Sequence, residues 1–147
     1  MKKQPNDNKQ SDAPAKGYLI DPYTAEVQPI TVPIDDHKEI QRQLGCDVFT
    51  TGGYFDNGDV IFVDDEGMLK GPTHFFRIKG INDQPLAGRG VVLGSDGEGG
   101  SADVKTSESE MMSRVRWVYA MDERGEVLFD VSAEARGQAA QTEVVVI

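Results

Sequence analysis

The sequence predicts an α+β domain: a mostly antiparallel sheet of five to seven strands with one or two helices packed on one face. Three observations predict it. Short alternating or apolar runs recur along the chain, separated by turn signals such as Asp21-Pro22 and Asp56-Asn57-Gly58. Two segments, around Ile40 to Leu44 and Met111 to Val115, carry helical spacing behind a capping residue. The 147 residues, 38% of them apolar, suit one core better than two.

The first seventeen residues, MKKQPNDNKQSDAPAKG, are polar and charged with Met1 as the one large apolar side chain. They cannot bury enough surface to offset ordering, so residues 1–16 are expected to form a disordered leader. GYLIDPYTAEVQPITVP then gives an apolar run at Tyr18 to Ile20, a turn, and alternating Val27, Ile30 and Val32, which together read as a hairpin. Asp36 to Leu44 is a helix: an aspartate caps it, Ile40 and Leu44 share a face, and Gly45 stops it. Cys46 to Phe55 and Asp59 to Asp64 are strands around Asp56-Asn57-Gly58.

Phe75 to Lys79 and Gly90 to Leu93 are the next strand signals, the second set in the glycine-rich stretch PLAGRGVVLGSDGEGG. There Gly88 and Gly90 shape the entry to a strand, while Gly94 to Gly100 read as a flexible loop. Ser107 with Glu110 three residues on is a capping box that opens a second helix to Val115. Arg116 to Met121 and Glu126 to Val131 are two further strands. The main domain is therefore expected over 17–131, with 132–147 as an extension whose terminal EVVVI either adds an edge strand or hangs free.

Charge and composition bound the function classes. The net charge of −10 is spread unevenly: residues 1–17 carry +2, residues 18–119 carry −8 and residues 120–147 carry −4. Such a field repels nucleic-acid phosphates and attracts basic partners, so direct nucleic-acid binding is not expected. No apolar run approaches the length that spans a bilayer and the N-terminus has no signal-like apolar block, which predicts a cytoplasmic protein with no membrane partner. The one cysteine, Cys46, reads as a small core residue, and with only His37 and His74 there is no zinc pattern.

The segments GYLIDP, LGCD, DNGDVIFVDDEGMLKGP, HFFRIKG and PLAGRGVVLG occur in that order. In this wording the chain resembles, over about residues 16–94, a family of small uncharacterised proteins, domains of unknown function found largely in bacteriophages, plasmids and the bacteria that carry them. The resemblance implies an accessory protein of a mobile element. It carries no catalytic residues.

Two constellations remain. Lys70, His74, Arg77, Lys79 and Arg89 form the one basic island, and with Gly88 and Gly90 they are the candidate site for a nucleotide or other anion. The glycines do not make a dinucleotide loop, because Leu93 stands where G-x-G-x-x-G needs its third glycine and a strand follows instead of a helix. Asp56, Asp59, Asp64, Asp65 and Glu66 form the densest acidic cluster. They sit at two hairpin ends and do not match a calcium loop, so they read as solvated turn residues open to a partner.

No catalytic set, metal ligand or cofactor is predicted. The leading expectation is a small acidic, non-enzymatic interaction protein of a phage or plasmid, binding a host protein with a basic surface, such as a nucleic-acid-handling or defence factor. The alternative is a small-ligand module that takes an anion at the basic, glycine-rich segment 74–90.

Overall fold

The structure is a computed structural model that describes residues 13–120, apart from 35, 73, 82 and 83, together with strands at 127–132 and 142–146. In chain order the elements are β1 (Ala15–Asp21), β2 (Glu26–Val32), α1 (His37–Leu44), β3 (Phe49–Tyr54), β4 (Val60–Asp64), a single 3-10 turn (Gly67–Lys70), β5 (His74–Ile78), β6 (Leu86–Ala87), β7 (Gly90–Ser95), β8 (Ser101–Ala102), α2 (Glu108–Arg114), β9 (Val115–Ala120), β10 (Val127–Ser132) and β11 (Thr142–Val146). Most of the expected leader lies outside the described residues. Ala15, inside its predicted span, already belongs to β1 and is buried.

The strands form two sheets where the sequence predicts one of five to seven strands. One sheet has the order β2-β1-β7-β4-β3, with β8 added to the end of β7, and the other has the order β11-β10-β9-β5-β6. Every pairing described is antiparallel. The terminal segment thus supplies an edge strand, β11 (Thr142–Val146), paired with β10, while Ile147 lies outside the described residues.

Alternation along the central strands explains the layering, because successive side chains point to opposite faces. In β1 and β7, Ala15, Leu19, Val91 and Leu93 share a cluster with Val32 and with Ile40 and Leu44 of α1. Tyr18, Ile20 and Val92 point the other way and join Ile61 and Val63 against Phe76, Ile78, Val115 and Trp117 of the second sheet. The six-stranded sheet is therefore apolar on both faces, which is why Val91-Val92-Leu93 reads as a continuous run and not as an alternation. Met111 of α2 enters the cluster between the sheets. The two helices thus bury their side chains in different clusters, where one shared face was expected.

The local signals act as their chemistry dictates. The Asp36 side chain accepts the amides of Lys38 and Glu39 at 3.0 and 3.3 Å, and Gly45 ends α1 at φ +71°. Ser107 accepts the Glu110 amide at 3.1 Å at the start of α2. Within the glycine stretch, Gly90 is needed for close packing: a Cβ there would lie 2.6 Å from Phe76 Cζ and 2.7 Å from Ile61 Cδ1. The stretch from Gly94 onward is more ordered than a flexible loop. Gly94 and Ser95 pair with β8, and the Asp96 carboxylate closes the turn between them by accepting the amides of Glu98 and Gly100 at 2.7 and 2.9 Å. These local bonds hold the Asp96 carboxyl below its ordinary range. Among the described residues no helix is long and apolar enough to cross a membrane.

A side chain at position 94 tests this packing, because its Cβ would fall 2.0 Å from the backbone oxygen of Asp103. Gly94→Ala is expected to lower stability by about 1–3 kcal/mol in urea unfolding, the range for overpacked sites. An unchanged midpoint would contradict the close approach of β7 to residue 103.

Candidate functional site

A concave feature beside the predicted basic island starts at the β1–β2 turn. Asp21 at the end of β1 accepts the Tyr23 amide at 2.9 Å, and its second oxygen accepts Arg89 Nε at 3.2 Å. The guanidinium lies over the Tyr23 ring, 5.1 Å from its centroid, and the His74 ring lies 4.8 Å from that same ring. The Gly88 amide donates to the His74 carbonyl at 3.0 Å, with Gly88 at φ +76°, so the segment turns back toward Tyr23. Across the gap, Lys70 Nζ pairs with Asp64 Oδ2 at 2.7 Å. The result is a cleft of about 300 Å3 lined by Tyr23, Gly45, Asp64, Lys70, Gly88 and Arg89.

The predicted ligand set is therefore divided. Lys70, Gly88 and Arg89 line the cleft, and His74 stacks against its Tyr23 wall. Arg77 does not join them: it follows Phe76 on β5, on the face opposite His74, and stands across from Arg116 in the strand register. Lys79 is exposed beyond the other end of β5, where its backbone pairs with Arg114. Gly90 is buried in the ladder between Ile20 and Val63. Asp21 and Tyr23 went unnoticed in the sequence, where Asp-Pro marks only a turn.

Cys46 is half-buried at the edge of the α1 cluster, less enclosed than the core residue expected from the sequence. Burial first, and then the Asp64 carboxylate, push its thiol above the usual range and keep it neutral. The Asp64 hydrogen bond raises Lys70, holding its ammonium charged. Among the described residues no group of three or more His, Cys, Asp or Glu side chains is placed to hold a metal ion.

The acidic cluster is divided as well. Asp56 is exposed at the β3–β4 turn, and Asp65 and Glu66 are exposed beyond β4. Asp64 is engaged with Lys70. Asp59 corrects the solvated-turn reading: it is fully buried, at 0% exposure. Its carboxylate accepts the Lys105 amide at 3.0 and 3.1 Å, the Thr106 amide at 2.9 Å and the Thr106 hydroxyl at 2.7 Å. Asn57 Nδ2 donates to the same hydroxyl at 3.0 Å, and Tyr18 donates its phenol to the Thr106 carbonyl at 2.8 Å.

Removing Asp59 strands the buried Thr106 amide and the half-buried Lys105 amide. Asp59→Ala is expected to cost about 2–4 kcal/mol in urea unfolding, and Asp56→Ala no more than about 0.5 kcal/mol. Equal costs would return Asp59 to the surface. Burial, followed by the Glu108 and Asp59 carboxylates, raises the Tyr18 phenol above 10.0. A raised folded value favours the neutral form, so this contribution is full below the unfolded pKa and fades as pH climbs through the folded one. Thermal melts should show a loss of stability setting in above about pH 10, smaller in Tyr18→Phe. An equal loss in that variant would remove Tyr18 as its source.

No curated protein and no solved structure matches the chain. The family model described as Domain of unknown function (DUF3846) matches residues 15–116, from the start of β1 through α2 and into β9, and the chain belongs to that family.

Proposed function

We infer that this chain is a non-catalytic protein-binding module that docks on its partner through the turn carrying Met68 and Leu69. The supporting observation is their exposure: 65% for Met68 and 84% for Leu69, next to one another on the 3-10 turn Gly67–Lys70. Single exposed apolar residues are ordinary, but an adjacent pair on a braced turn is the form of an interface anchor. The bracing comes from the Leu69 amide on the Glu66 carbonyl at 3.0 Å, with the exposed Lys70–Asp64 ion pair as a weaker addition. Val48, 51% exposed, adjoins this region through its carbonyl, which accepts the Asp65 amide at 2.9 Å.

Asp65 and Glu66 stand exposed immediately before the turn. An apolar centre with an acidic rim suits a partner that offers an apolar pocket bordered by lysine or arginine, and the −8 charge of residues 18–119 steers such a partner in. The resemblance to proteins of phages and plasmids supports a cytoplasmic accessory role against a host protein.

The test is quantitative capture from a host lysate, followed by titration with the purified partner. Leu69→Asp is expected to weaken binding about tenfold or more, as for an interface anchor. Asp65→Lys with Glu66→Lys should slow association and flatten its salt dependence. Full binding by folded Leu69→Asp protein would overturn the assignment.

A further inference from the structure

We propose that the cleft beneath Arg89 and a second, adjoining concavity form one binding site for a small diphosphate-class anion, held by Lys38, Arg42, Lys70 and Arg89. The second concavity, about 480 Å3, is lined by Lys38, Gln41, Arg42, Cys46, Asp47 and Lys70, and it shares Gly45 and Lys70 with the first. Lys38 and Arg42 are four residues apart on α1, share one face of it, and line the second concavity with Lys70. Arg89 lines the first cleft with Lys70, and its guanidinium lies 3.6 Å from the position of a Cβ at Gly45, a residue common to both concavities.

Four cations and two carboxylates, Asp47 and Asp64, line the joined clefts, and two more carboxylates, Glu39 and Asp21, pair with Arg42 and Arg89 from outside the lining. The existing pairs leave capacity. Arg42 holds Glu39 through Nε and one terminal nitrogen, and Arg89 holds Asp21 through Nε, so each retains terminal N–H donors for a second acceptor. The side chains of Arg42 and Lys70 are 70% and 51% exposed, and pairs this exposed are weak enough in water for an incoming anion to compete with them. Cations spread over two adjoining concavities that share Lys70 fit two linked anionic groups better than one. The surrounding acidic surface repels an extended polyanion, which selects a small molecule over a nucleic-acid strand. The site differs from the segment 74–90 expected from the sequence: Lys38 and Arg42 take the places of Arg77 and Lys79.

The probe is inorganic pyrophosphate, followed by calorimetric titration and thermal shift at ionic strength matched with chloride. A saturable rise in Tm is expected, with inorganic phosphate binding about tenfold more weakly and the Lys38→Ala, Arg42→Ala double variant losing about tenfold or more in affinity. Lys79→Ala should bind like the parent protein. Both substituted helix residues are on the exposed side of α1, so folding is preserved even where Arg89→Ala would disturb Asp21. No effect beyond the chloride control, undiminished affinity in the double variant, or equal loss in Lys79→Ala would each overturn the site.

Discussion

The Asp59 carboxylate, buried against the backbone of Lys105 and Thr106, is the interaction on which the rest of the structure depends. A carboxylate removed from water is costly unless its oxygens are satisfied, and here two amides and a hydroxyl satisfy them. The segment it grips is the passage from the β7–β8 hairpin to α2 and thence to β9. The same segment is held from β1, by Val104 donating to the Lys16 carbonyl at 2.8 Å and by the Lys16 amide donating to Asp103 at 2.9 Å. With this passage pinned, Met111, Val115 and Trp117 arrive over the inner face of the six-stranded sheet.

Much of the fold was legible because its determinants are local. Asp36, Ile40, Leu44 and Gly45 specify α1 within ten residues, Asp56-Asn57-Gly58 specifies a hairpin, and Ser107 with Glu110 opens α2. The division into two sheets was not legible, since it rests on which strands pair at a distance, and a strand of Val, Phe and Ile suits either sheet. Two-residue strands such as β6 and β8 carry no periodicity at all. Cys46 to Val48 were read into β3, which begins at Phe49; the Gly45 cap and the Gln41 side chain, bonded to the Asp47 carbonyl, keep those residues out of it.

The candidate site shows the same limit from the side of charge. Arg89 and Asp21 are 68 residues apart, and nothing near either names the other. Asp59 looks like its neighbours Asp56 and Asp64 in sequence, yet the three occupy a buried node, an exposed turn and an ion pair. Proximity in sequence grouped Arg77 and Lys79 with Arg89; strand alternation and the end of β5 separate them. Net charge averages over these differences, so an acidic segment can still gather several cations around adjoining clefts.

The order in which the chain visits its two sheets has a kinetic consequence. It lays down β1 to β4 in the first sheet, crosses to the second for β5 and β6, returns for β7 and β8, and crosses again for β9 to β11. The strand that joins β1 to β4, β7, is thus made after strands of the other sheet, and β5 waits for β9 nearly forty residues later to cover its inner edge. The first sheet has all its strands by Ala102, whereas the second waits for β9 to β11. Pairings this distant in sequence make for slow closure, and a nascent chain would hold apolar β-strands open until its last third emerges, a period in which chaperones or self-association compete for them.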